Sequence, residues 1–134
     1  SVIFVDVIGL GAGVVDRGRE VELPVVGVNV AESPAVKEQY NRMRDELWWR
    51  AREWFAARDC SFAEDEELTA ELTLPTYKVL SSGKIQIESK DDLKKRGVTS
   101  PDLADAFCLT FATGCVSSFK QSQRVDQQRM AWVV

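Results

Sequence analysis

SVIFVD (Ser1 to Asp6) is a continuous β-branched and aromatic run that stops at VIGLGAG (Val7 to Gly13), and LPVVGVNV (Leu23 to Val30) is a second such run a short distance on. Neither run alternates polar with apolar residues, so both read as strands covered on both faces, the first running into a tight glycine turn. Pro24 is compatible with the second strand because it stands near its beginning. Val14 to Glu20, between them, reads as a short helix. Strand, helix and strand in so few residues predict a parallel βαβ unit, and so an α/β fold.

Beyond this unit the pattern turns helical. Ser33-Pro34 has the form of an N-cap followed by proline at the first helical position, which predicts a long helix as far as about Arg58. Tyr40, Met43, Leu47, Ala51, Trp54 and Phe55, with Trp48 beside them, recur at three- and four-residue steps and form a wide apolar stripe suited to a core. Glu64 to Glu67 opens a short helix through Leu72, its negative charge favourable at the positive end of the dipole. Thr76 to Leu80 and Lys84 to Glu88 flank Ser81-Ser82-Gly83 and predict a β-hairpin. Lys90 to Gly97 is a charged helical turn closed by a glycine, and Ser100-Pro101-Asp102 starts a last helix with Asp102 as its N-cap. That helix is expected to pack through Leu103, Ala106, Phe107, Thr110 and Phe111. The division that follows is one α/β domain over 1–115 and a polar, glutamine-rich tail or surface helix over 116–134.

Composition narrows the chemistry. The chain has 134 residues, 45% of them hydrophobic, which suffices for one core. No apolar run approaches the ~20 residues needed to span a bilayer, and Ser1 to Val5 lacks the basic flank of a secretion signal. There is no histidine, which removes the base of Ser-His-Asp and Cys-His catalysis, and three cysteines without a CxxC pair argue against zinc. Cys108 and Cys115 read as small buried hydrophobes. A net charge of -4 means that any nucleic-acid contact must come from a local basic cluster.

Carboxylates are the remaining candidates. Asp6 ends a strand before a glycine turn, at the sheet edge where α/β proteins gather ligands, although capping the turn would also explain it. Asp102 and Asp105 stand three apart in the first turn of a helix and share a face there; N-capping is an ordinary role for Asp102, while Asp105 is an acid in apolar company. Two carboxylates about 5 Å apart repel by roughly 3 kcal/mol at an effective dielectric of about 20, which a hard divalent cation would relieve. Gly9 and Gly11 also raise a Rossmann-type nucleotide site, but Val14 stands where the third glycine belongs and no acidic residue ends the second strand.

Four motifs in this order, VDVIGLGAGVVDR (Val5 to Arg17), ELWWRAREWF (Glu46 to Phe55), PTYKVLSSGKIQIESKDDLKKRG (Pro75 to Gly97) and SPDLADAFCLTFA (Ser100 to Ala112), closely resemble the C-terminal nuclease domain of the large terminase subunits of tailed bacteriophages and prophages. The resemblance runs from Val2 to about Ala112. It implies an RNase H-like fold, a mixed sheet flanked by helices with a β-hairpin insertion, and an endonuclease cutting concatemeric viral DNA during genome packaging in the host bacterial cytoplasm. It implies Mg²⁺ or Mn²⁺ held by Asp6 and Asp105, with Asp102 as the accessory acid of a DxxDA arrangement. The implied partners are double-stranded DNA, the portal protein, the small terminase subunit and an N-terminal ATPase domain. Such a site takes its first aspartate from an opening strand, so the first strands of the fold are expected to be missing, and Gly18 departs from the apolar residue expected in that helix. A catalytically incomplete remnant acting as a DNA- or partner-docking module is the rival reading. Lys84, Lys90, Lys94, Lys95 and Arg96 are the candidate DNA contacts, with Glu88, Asp91 and Asp92 among them diluting their field.

Overall fold

A computed structural model describes residues 1–113. The βαβ unit forms as read: β1 (Ile3–Asp6) and β2 (Val25–Val28) pair in parallel, with Asp6 opposite Val28, and α1 (Gly11–Glu20) crosses between them. The helix starts at Gly11 instead of Val14 because its first turn folds directly onto the end of β1. A Cβ at Gly11 would stand 1.6 Å from the Asp6 carbonyl oxygen, so only glycine fits. Gly18 is buried against β2, where a Cβ would lie 2.5 Å from Val25 Cγ2 and 3.3 Å from Val25 Cβ. It is a close-packing position between helix and strand, which gives its departure from the expected apolar residue a physical reason.

The long helix is shorter than its sequence pattern. α2 covers Met43–Ala56, and residues 34–42 are turns laid over its N-terminus. Two tertiary demands outweigh the Ser33-Pro34 start signal. The Ala35 and Val36 N–H groups donate to Oε2 of fully buried Glu46 (2.6 and 3.3 Å). Tyr40 bridges Ile85, with the Asn41 N–H donating to the Ile85 carbonyl (3.2 Å) and the Ile85 N–H to the Gln39 carbonyl (2.7 Å). Asp45 then caps α2 through the Arg42 N–H (2.8 Å) and takes the Ile87 N–H (2.8 Å) on its other oxygen. Burial pushes the Asp45 carboxyl above its ordinary range, and those two N–H groups hold it down in part.

α3 (Glu66–Thr73) is capped by Asp65, and the hairpin β3 (Tyr77–Val79) and β4 (Ile85–Ile87) pairs antiparallel around Gly83 at φ 81°. α4 (Lys90–Lys95) is capped by Ser89 and closed by left-handed Gly97, and α5 (Asp102–Leu109) runs into a 3-10 turn, Thr110–Ala112. Among the described residues the strands form two two-stranded sheets, one parallel and one antiparallel, where one mixed sheet was expected. Such small sheets are not stable alone. They are held by a shared core of Val28, Leu47, Trp48, Ala51, Ile87 and the inner side of α5. That inner side is Ala104, Cys108 and Leu109, continued by Ala112; Leu103, Ala106 and Thr110 of the expected face are exposed. No helix among the described residues is long and apolar enough to cross a membrane. Cys115 and the expected tail over 116–134 lie outside the described residues.

Candidate functional site

The three acids singled out by the sequence line the same cavity. Asp6 arrives from the C-terminal end of β1, and Asp102 and Asp105 from the first turn of α5; together with Arg44 and Lys90 they line one cavity of about 220 Å³. Asp6 also plays its ordinary structural part, since its Oδ1 accepts the Ile8 N–H (3.0 Å) and closes the turn after β1. Asp102 is not the N-cap of α5. Its side chain is 77% exposed and accepts from the Ser100 hydroxyl (2.6 Å) and Lys90 Nζ (3.1 Å). The Ala104 N–H at that helix end is taken by Glu71 of α3 instead (2.9 Å).

Asp105 is the most heavily engaged of the three. Its Oδ1 accepts from Trp48 Nε1 (2.7 Å) and Arg44 Nε (3.1 Å), and its Oδ2 lies 2.9 Å from Lys90 Nζ. The Arg44 guanidinium stacks over the Trp48 ring, 5.3 Å from its centre, and its Nη1 reaches the Glu88 carbonyl (2.9 Å), tying α2 to the junction of β4 and α4. Its Nη2 is buried without a hydrogen-bond partner among the described residues. Burial pulls the Lys90 pKa down, but the hydrogen bonds and charges of Asp105 and Asp102 outweigh it, so the ammonium ends above its ordinary value. The Ser100 hydroxyl and Lys90 hold the Asp102 carboxyl below the usual carboxylate range.

The charge relief that the sequence assigned to a metal ion is thus met in part by lysine. Three carboxylates against the two cations Arg44 and Lys90 leave one negative charge at the cavity. Among the described residues no group of three carboxylate, cysteine or histidine side chains converges as a ready-made metal site. The donor chemistry nevertheless suits a hard divalent cation, since all the candidate donors are carboxylate oxygens. The Lys90 side chain is 45% exposed, so its head group can leave for solvent without unpacking the core.

The other cations proposed to contact DNA divide. Lys95 pairs with Asp92 (2.9 Å), and Arg96 pairs with Glu88 (2.8 Å) while donating to the Leu74 carbonyl (2.6 Å), so both brace α4. Lys94 is exposed on α4, and Lys84 sits half-buried where β4 begins. The sequence reading missed Arg44 and Trp48. Their spacing of four on α2 places both over the same neighbour, and that was the available signal; which neighbour depends on the packing of α5.

No protein-family model matches the chain, and no curated protein matches it. Among solved structures, a lysine-to-alanine variant of the nuclease domain of the large terminase subunit of bacterial virus Sf6, with manganese, superposes with a TM-score of 0.63 at 21% identity, over 79% of this chain and 64% of that one. The same variant with calcium gives 0.62 at 21%, over 79% and 63%. The nuclease domain of that subunit without the substitution gives 0.62 at 22%, over 79% and 63%. The chain therefore spans 63–64% of the length of the domains it matches. What is shared at this identity is the fold: an α/β chain built as the nuclease domain of a phage large terminase is built.

Proposed function

We propose that this chain is the nuclease portion of a phage or prophage large terminase, a metal-dependent endonuclease that hydrolyses concatemeric viral DNA during packaging in the host cytoplasm. The observation that supports the reading is that Asp6, Asp102 and Asp105 all line one cavity, within a fold shared with a nuclease domain solved with manganese. Asp6 and Asp105 would hold Mg²⁺ or Mn²⁺, and such an ion supplies Lewis-acid stabilisation of a phosphoryl oxygen and a water of lowered pKa. Asp102, the more exposed acid of α5, would assist them as the accessory acid of the DxxDA arrangement. Lys90, which bridges Asp102 and Asp105, would with Lys84 and Lys94 offer positive charge to the phosphate backbone. Double-stranded DNA is the substrate, and an ATPase domain, a small terminase subunit and the portal protein are its partners.

One observation favours the rival reading, a docking module that keeps the nuclease shape without its chemistry: Lys90 already bridges Asp102 and Asp105. Titration of the chain with Mn²⁺, followed by incubation with supercoiled plasmid with and without chelator, separates the two. The nuclease reading expects saturable Mn²⁺ uptake and nicking, both lost in Asp105→Asn. Plasmid binding with no Mn²⁺ uptake would establish the docking module, and nicking that persists in chelator and in Asp105→Asn would dismiss the site.

A further inference from the structure

The two oxygens of Asp105 are treated differently by the fold. Oδ1 accepts from both the Trp48 indole and the Arg44 guanidinium, which fills its two lone-pair positions, whereas among the described residues Oδ2 meets only the half-exposed Lys90 head group. The indole donor belongs to a side chain that is 7% exposed and packed in the core, so it cannot turn away. Arg44 is fixed from both sides, by its stack on Trp48 and by the Glu88 carbonyl.

We propose that Trp48 and Arg44 are positioning residues that lock the Asp105 carboxylate so that it presents Oδ2 alone to a cation. This rests on the reading of the cavity as a divalent-metal site and adds to it how Asp105 binds: through one oxygen, never as a chelating pair. Outer partners that orient a ligating carboxylate are typically worth 10–100-fold in metal affinity.

The test uses the full chain, with Mn²⁺ affinity read by electron paramagnetic resonance and the Trp indole N–H resonances read by ¹⁵N NMR. Trp48→Phe keeps the ring packing and removes one donor, and is expected to weaken Mn²⁺ binding by roughly 10-fold or more. Trp49→Phe makes the same chemical change at a ring that packs on Tyr77 instead, and is expected to change nothing. In metal-free protein, Asp105→Asn is expected to move the Trp48 indole resonance while leaving that of Trp49 in place. Unchanged Mn²⁺ affinity in Trp48→Phe, beside a wild type that binds, overturns this inference and leaves the metal site standing. A wild type that takes up no Mn²⁺ removes the metal reading and this one together. Should Trp48→Phe fail to fold, Arg44→Lys serves in its place, and an indole resonance indifferent to Asp105→Asn overturns the lock by itself.

Discussion

Asp105 accepts from two side chains of α2 and one of α4, and this crowding sets what single substitutions will do at the cavity. Lys90→Met keeps the apolar stem and removes the competing ammonium, so Mn²⁺ affinity should rise about tenfold for the loss of one like charge at close range, as calorimetry would read it. No change in affinity would mean that the lysine does not occupy the cation's place. A second residue-scale outcome concerns the thiols. Burial pushes Cys108 up to about 12, so it stays protonated and enclosed, whereas Cys60 is partly exposed. Alkylation at pH 8 followed by peptide mapping should therefore mark Cys60 well before Cys108, and rapid labelling of Cys108 would show that α5 does not pack as described. At this scale the sequence disclosed the acids and hid their partners. Asp6, Asp102 and Asp105 stand out as acids at element ends, but nothing local in Arg44 or Trp48 says that α5 will bring a carboxylate to them.

Between elements, the contact of α1 with β2 turns on Gly18. Alanine there would gain up to about 1 kcal/mol of helix propensity, yet its methyl would meet Val25, and overpacking of this kind costs about 1–3 kcal/mol. Gly18→Ala is thus expected to be destabilising by about 1 kcal/mol in urea melts, with Val25→Ala in the same chain recovering part of the loss. Stabilisation by the single substitution would show that α1 is free to shift away from the strand. Elements whose signals are local were legible: the βαβ unit, the hairpin around Gly83, and α4 between Ser89 and Gly97. Residues 34–42 were not, because what keeps them from being helical is a bridge to Ile85, far along the chain, and a buried Glu46 that takes their N–H groups. The packing face of α5 was legible in part: Phe107 and Phe111 pack against the core and Cys108 is buried as expected, but Ala104 also turns inward, because a small residue lets α5 come close to α2 and a search for bulky positions overlooks it.

For the molecule as a whole, Arg96 acts as a brace: it joins α4 to Glu88 at the end of β4 and to the Leu74 carbonyl at the end of α3. The Arg96 guanidinium and the Thr76 N–H hold the Glu88 carboxyl down to about 2 from an ordinary 4.5. A carboxyl depressed on folding contributes stability that is present above its unfolded value and is lost as pH falls through the folded one. The advantage in Tm of the wild type over Arg96→Ala should accordingly be full above pH 4.5 and shrink toward nothing as pH approaches 2. A gap that stays constant across that range would assign the effect of Arg96 to packing.

The lysine bridge between Asp102 and Asp105 also bears on the order of events in the cell. In small domains that have no preformed site before they fold, ion binding and folding are one event, and chelators unfold them. This chain carries its own counter-charge, so on the proposed reading it would fold without the ion. Chelator should leave its melting temperature nearly untouched, so that on the proposed reading the ion would be no condition for assembly.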